Sequence, residues 1–196
     1  MSKGAKTRTA ILNRATGLAS QVGLTGLTIG VLADDLKLSK SGLFAHFRSK
    51  EALQIDVLNH AATRFAETVV RPALQEPRGV ERMRALFERW MSWEHDAALP
   101  GGCVFVAAAA ELDDRPGPVR ERLVALQRDW IVVMATSFKK GVEVGLFRTD
   151  VDPDEFVQDM YGIMLAFHFH TRLMGDAGAE ARARRAFTRL LEGVQR

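Results

Sequence analysis

The residues best equipped for chemistry stand close together in "LADDLKLSKSGLFAHFRSKEAL", positions 32–53. If "SKSGLF" begins a helix that lies in a DNA major groove, its first residues face base edges. Lys40 can then donate to guanine O6 and N7, Ser41 can donate or accept, and Leu43 can pack on a thymine methyl. Ser39 opens the segment, Gly42 lets its backbone come close to DNA, and Phe44 ends the reading stretch. Thr28, His46 and Lys50 stand at helix starts or ends, where hydroxyl, imidazole and ammonium donors can hold phosphates beside positive helix N-termini. Such contacts position a reader without specifying sequence. The plainer reading of residues 1–50 is an apolar three-helix bundle with incidental basic residues.

Other candidates carry weaker chemistry. "HFH" invites a metal site, but residues two apart on a helix point about 200° from each other, so His168 and His170 cannot converge on one ion. No metal and no cofactor is expected. Cys103 follows "LPGG" at a helix start, where a thiol can be activated, or it is a small buried side chain. Glu111 ends "VFVAAAAE" and either receives a cationic or hydrogen-bonding ligand or surfaces beside Asp113 and Asp114. Trp90, Trp93, Phe105, Met134, Phe138 and Tyr161 form an aromatic and Met-rich set that suits an apolar pocket as well as a plain core, and His168 can line the same cavity. No Ser-His-Asp set, metal cluster or phosphate loop is legible, so a helical enzyme or carrier is the weaker alternative.

The elements that must hold these residues are helical throughout. Ile11, Ala15, Leu18 and Val22 predict a helix over about 6–22 that Gly23 stops. Thr28 can cap a helix over 29–35 and Ser39 another over 40–46, which gives helix, turn, helix. Ile55, Leu58, Ala62, Phe65 and Val69 predict a long helix over about 50–72, bracketed by Pro72 and Pro77. Further helices carry Met83 to Met91, residues 103–113, Val119 to Phe138, residues 154–174 with Asp152 as cap, and Ala183 to Val194. The expectation is an all-α chain of nine helices: a DNA-binding unit over 1–50, a connecting helix over 50–72, and a ligand-binding and dimerising unit over 51–196. Helix 154–174 is apolar on more than one face and needs cover on more than one side, so Phe167, with Ala183, Phe187 and Leu190 of the last helix, is expected in a dimer seam.

Charge separates along the chain in the same sense. Residues 1–50 hold eight Lys or Arg against Asp34 and Asp35, a net +6, while the remainder holds 19 basic and 22 acidic residues, a net −3. That is the footprint of a protein whose first quarter meets a polyanion. The chain has 196 residues, 47% of them hydrophobic, enough for a sizeable core. No apolar run approaches the roughly 18 residues of a membrane span, and "MSKGAKTRTA" leads into no signal core. A single cysteine fits a reducing, cytoplasmic location.

Over residues 8–58 the sequence resembles the TetR family of bacterial transcriptional regulators. "TRTAILNRATGLASQVGLTGLTI" and "LADDLKLSKSGLFAHFRSKEAL" follow the family pattern of apolar helix, Gly, Thr-capped helix, turn, reading helix and H-F-x-S-K-E ending. The resemblance implies that Thr28, His46 and Lys50 contact phosphate and that Ser39 to Phe44 read bases. It also implies a homodimeric regulator, most often a repressor, that binds palindromic operator DNA and is released by a small-molecule effector; a constitutive DNA-binding protein is the other regulator reading. Three departures from the pattern involve four positions. Lys37 stands where a turn Gly is common, Leu36 and Leu38 replace smaller residues, and Phe44 replaces a Tyr, removing a hydroxyl.

Overall fold

The computed structural model describes residues 3–196. They form α1 (Lys3–Val22), α2 (Ile29–Leu36), α3 (Lys40–Phe44), α4 (Lys50–Phe65), α5 (Arg71–Gln75), α6 (Val80–Glu94), α7 (Val104–Leu112), α8 (Pro118–Glu143), α9 (Pro153–Arg172) and α10 (Ala179–Glu192). A π turn, Ala66–Val70, runs from α4 into α5, so these described residues make nine helical rods, the predicted number. The only extended pairing among them is one antiparallel bridge, Phe147 with Gln195.

The fourth rod ends between Pro72 and Pro77, as those prolines suggested, but three residues beyond the expected bound of about 72. Pro72 stands in the first turn of α5 and helix continues to Gln75. Proline has no N–H for the ordinary ladder, and the preceding turn widens so that the Arg71 N–H reaches Ala66 O. The reading helix is also shorter than predicted, ending at Phe44 instead of residue 46.

Packing divides the chain into two units: one runs to Arg64 and adds His95–Gln127, the other comprises Phe65–Glu94 and Arg128–Arg196. In the first, Ile11, Leu12, Ala15, Leu18 and Ala19 of α1 are buried, together with Leu32 and Ala33 of α2, Leu43 of α3, and Leu53, Val57 and Leu58 of α4. Val22, predicted on the apolar face of α1, is instead 47% exposed, because α1 ends there and the chain turns away.

That turn is held by side chains from two other helices. Glu111 on α7 accepts from the backbone N–H of Leu24 (2.9 Å), the N–H of Thr25 (2.7 Å) and the Thr25 hydroxyl (2.5 Å). From α4, Gln54 Nε2 donates to Leu24 O and Lys50 Nζ to Thr25 O, both at 2.6 Å. Both amides and both carbonyls of Leu24 and Thr25 thus have side-chain partners, satisfying groups that no helix ladder serves. Gly23 begins the turn at φ +81, and a Cβ there would stand 2.7 Å from the Glu111 carboxylate. "LPGG" does more than break a helix. A Cβ on Gly101 would fall 1.6 Å from Ser20 O, so only Gly lets this loop lie against the end of α1, where the Gly101 N–H donates to Ser20 Oγ at 3.0 Å.

The second unit is built around aromatic stacks. Phe87 of α6 stacks on Phe187 of α10 with centroids 4.1 Å apart, and Phe138 of α8 lies between Phe147 and Phe156 at 4.8 and 4.3 Å. Trp90 meets Phe167 of α9 edge-on, and Phe65 presents its ring to Trp93 and Trp130 in T-shaped contacts. Asp152 caps α9, accepting from the Asp154 N–H, with Pro153 in the first turn as its spacing predicted.

Two substitutions test this account. Glu111→Ala leaves three donors of the 24–25 turn unpartnered, and urea unfolding is expected to show a loss of about 2–3 kcal/mol with the m-value unchanged. Lys37, the C-cap of α2, has φ 54 and ψ 39, the one left-handed non-glycine among the described residues. Lys37→Gly is expected to raise stability by about 0.5–1 kcal/mol, since the relieved left-handed strain exceeds the added freedom of the unfolded chain.

Candidate nucleic-acid interface

Each helix of the helix-turn-helix starts on a side-chain oxygen. Thr28 is extended (φ −128, ψ 163) and its Oγ1 accepts from the Val31 N–H at 3.1 Å; Ser39 (φ −70, ψ 143) accepts from the Gly42 N–H at 3.1 Å. A hydroxyl that accepts still has its own hydrogen to give, so Thr28 remains a donor toward a phosphate oxygen at the positive end of α2. Ser41 Oγ stands 3.3 Å from Ser39 Oγ, which gathers the two hydroxyls at the start of α3. Between the helices, the Lys37 N–H closes α2 on Ala33 O and Asp34 O, and the left-handed cap turns the chain toward α3.

The outer face of α3 carries Ser39, Lys40, Ser41, Gly42 and Phe44, all exposed. Leu43 does not belong to it. Expected to meet a thymine methyl, it is fully buried, and with Phe47 it anchors α3 in the first unit's core. The i, i+4 spacing of Leu43 and Phe47 is the sequence signal of that inward face. Apolar surface for a methyl group is supplied by Phe44, 53% exposed, and by Leu38 and Val31, 48% and 40% exposed; of the three, the sequence had not singled out Val31.

The cations are arranged differently from one another. Lys40 folds back across the first turn of α2, where its Nζ lies 3.9 Å from the Cβ position of Gly30. Lys50 spends one donor on Thr25 O and keeps two, so the same turn that Glu111 grips also fixes where this ammonium stands. His46 is half-buried beside Phe47, with ring centroids 6.2 Å apart. Arg14 of α1 and Asp35 of α2 form a two-pronged pair, both bonds 2.6 Å. The Arg14 hydrogen bonds hold the Asp35 carboxyl below the usual carboxylate range, and this pair occupies one of the two acidic side chains of residues 1–50. Lys37, Lys40, Arg48 and Lys50 are left as an exposed basic group around α3.

The remaining candidate residues are dispersed. Phe105 and Glu111 lie in the first unit, and Trp90, Trp93, Met134, Phe138, Tyr161 and His168 in the second. Glu111 is committed to the 24–25 turn, which withdraws it from ligand recognition. Phe138 is the middle of an aromatic stack. His168 Nδ1 stands 2.8 Å from Oε1 of the fully buried Glu94 side chain, whereas His170 turns to Asp176 at 3.8 Å, so the two histidines diverge as their spacing requires. Cys103 is buried at the start of α7.

Three of the four residues expected in a dimer seam face inward. Phe167, Ala183 and Phe187 are 2%, 6% and 2% exposed within a single chain, Phe167 against Trp90 and Phe187 against Phe87. Leu190 alone reaches the outside, lining a shallow groove with Gln158, Asp159, Gly162, Ile163 and Ala166 of α9. Leu165 and Phe169, on the same outward side of α9 as Gln158 and Gly162, and Leu173 and Met174 just beyond the helix are 40%, 48%, 72% and 60% exposed, and the sequence had marked none of them. No helix of the described residues is long and apolar enough to cross a membrane.

Comparison with known proteins bears on the same residues. Residues 11–57 match the family model for bacterial regulatory proteins of the tetR family, and residues 79–187 match the tetracyclin repressor-like C-terminal domain. The HTH-type transcriptional repressor NemR of Escherichia coli (strain K12) is 22% identical over 169 residues, 85% of this chain and 84% of that protein. A TetR transcriptional regulator from Chloroflexus aurantiacus superposes with a TM-score of 0.85 at 26% identity, over 98% of this chain and 96% of that one. AibR, in a complex with isovaleryl coenzyme A and operator DNA, shares the fold with a TM-score of 0.67 at 23% identity, over 82% and 85% of the two chains. With a capped helix-turn-helix at one end and a matched regulatory domain covering more than half of its length, the chain belongs to the TetR family of DNA-binding transcriptional regulators and is not an enzyme.

Proposed function

We propose that this regulator is a repressor that binds a palindromic operator as a homodimer and leaves it on binding a small apolar or aromatic effector. The observation that carries the reading is the exposed edge of α3, with Ser39, Lys40, Ser41 and Phe44 outward and Leu43 and Phe47 locked inward. Residues 1–50 make the DNA contacts in this proposal. Thr28, His46 and Lys50 bind phosphate, and Lys40 swings out from α2 to donate to a base edge, a rotamer change in an exposed side chain.

Residues 51–196 carry the ligand and dimer functions. The dimer is supported by the apolar surface left on α9, where Gly162 and Ala166 are small enough for a second helix to come close. An effector among Trp90, Trp93, Met134, Tyr161 and His168 finds aromatic walls and the Glu94–His168 pair as a polar end. AibR offers a precedent for a relative holding both a small molecule and its operator. Two reading helices in a two-fold dimer must stand about 34–36 Å apart, so a shift of a few ångströms passed along α4 is enough to misregister one of them. A coupling of about 1–3 kcal/mol changes operator affinity roughly 5-fold to 150-fold, and operator DNA must weaken effector binding by the same factor.

Selection of bound sites from random DNA should return a two-fold symmetric sequence; an asymmetric consensus counts against the dimeric reading. On that site Lys40→Ala is expected to relax base preference and weaken binding by about 1–3 kcal/mol, while Lys50→Ala weakens all sequences alike and lowers the salt slope by about one. Base preference that survives Lys40→Ala removes that residue from the reading set. Gly162→Glu with Ala166→Glu adds charge to a face outside the core of the protomer, and light scattering should then find folded monomers. A folded dimer in that variant places the interface on another face.

A further inference from the structure

The second unit has a basic, apolar-floored groove that neither DNA binding nor the proposed effector core uses. It encloses about 270 Å³ between the α5–α6 corner and one face of α8. Leu74 of α5, with Val132 and Val133 of α8, forms the apolar part; Arg78, Arg82 and Lys140 form the charged part. Val132 is 60% exposed and Leu74 37%, so both apolar walls face solvent in the free chain. Val132, Thr136 and Lys140 recur at four-residue steps along α8, which lines up methyl, hydroxyl and ammonium along one edge.

The three cations are prepared for an anion to different degrees. Arg82 Nε and Nη2 both donate to Glu76 O, at 3.1 and 2.8 Å, which fixes the guanidinium plane and leaves the rest of its five-donor fork unclaimed among the described residues. Arg78 is exposed and has no ion-pair partner among the described residues. Lys140 pairs with Glu143 at 3.0 Å, but the two side chains are 41% and 56% exposed, and such a surface pair is weak enough to yield to a better-placed carboxylate. A phosphodiester backbone would gain nothing from the Leu74–Val132 walls, and a neutral hydrocarbon would leave the cations unanswered. The groove is complementary to a molecule with an anionic head and a short hydrocarbon body, and its volume lies near the lower end of small-ligand sites, about 300–1,000 Å³.

We propose that this groove binds a soluble medium-chain acyl carboxylate, with the head at Arg78, Arg82 and Lys140 and the chain over Leu74, Val132 and Val133. The site stands independently of the repressor reading, because it needs neither operator nor dimer. Decanoate is the probe, titrated by calorimetry and followed by amide chemical shifts in the intact protein. Three outcomes are expected together: shifts centred on residues 132–140 and 74–82, at least 10-fold weaker binding of methyl decanoate, and at least 10-fold loss of decanoate affinity in Arg78→Ala/Lys140→Ala with an unchanged melting temperature. Val132→Asp, at an exposed position, gives a second variant with the same expected loss. Equal affinity for the methyl ester, decanoate affinity unchanged in both variants, or shifts centred on the aromatic core instead of the groove would each overturn the proposal. Binding seen only with phosphatidylglycerol vesicles would overturn the soluble ligand in favour of a lipid headgroup.

Discussion

The turn at Leu24 and Thr25 is the constraint on which the DNA-facing end depends. It lies between the end of α1 and the cap of α2, so any freedom there would pass directly to the position of Thr28 and α3. Its two amides are claimed by one carboxylate from α7 and its two carbonyls by an amide and an ammonium from α4. A carboxylate receiving two backbone donors and a hydroxyl is a strong acceptor site, and Gly23 clears the space in which it stands. The arrangement makes α7, distant in sequence, a structural part of the helix-turn-helix.

The second unit is held by a different kind of force. Its stacked and edge-on aromatic rings give large buried area with defined geometry, and they fix α6, α8, α9 and α10 against one another within that unit. The same packing uses up the most apolar residues of α10, so the surface left outside that core on α9 is a milder stripe containing Gly162 and Ala166. Inside it, the buried Glu94 carboxylate has a histidine partner, a pairing that lets a polar group persist among Trp and Phe side chains.

Charge is arranged with comparable economy. Arg14 and Asp35 neutralise each other between α1 and α2, while the lysines around α3 remain exposed. On the second unit the basic group at Arg78, Arg82 and Lys140 has apolar walls, a chemistry unlike that around α3, and the two surfaces suit different anions.

Sequence alone determined the helical class, the number of rods and both caps of the helix-turn-helix, because periodicity and capping act within a few residues of chain. It also placed the exposed polar edge Ser39–Ser41. Tertiary structure decided the facing of residues whose pattern allows two answers: Leu43 turned inward, and Phe167, Ala183 and Phe187 were taken by partners within the same chain. A hydrophobic residue reports that it needs cover, not which surface covers it. Glu111 shows the same limit for a polar group, since a carboxylate at a helix end looks alike in sequence whether it awaits a ligand or holds a turn 86 and 87 residues away. Only the fold brought those backbone amides to it.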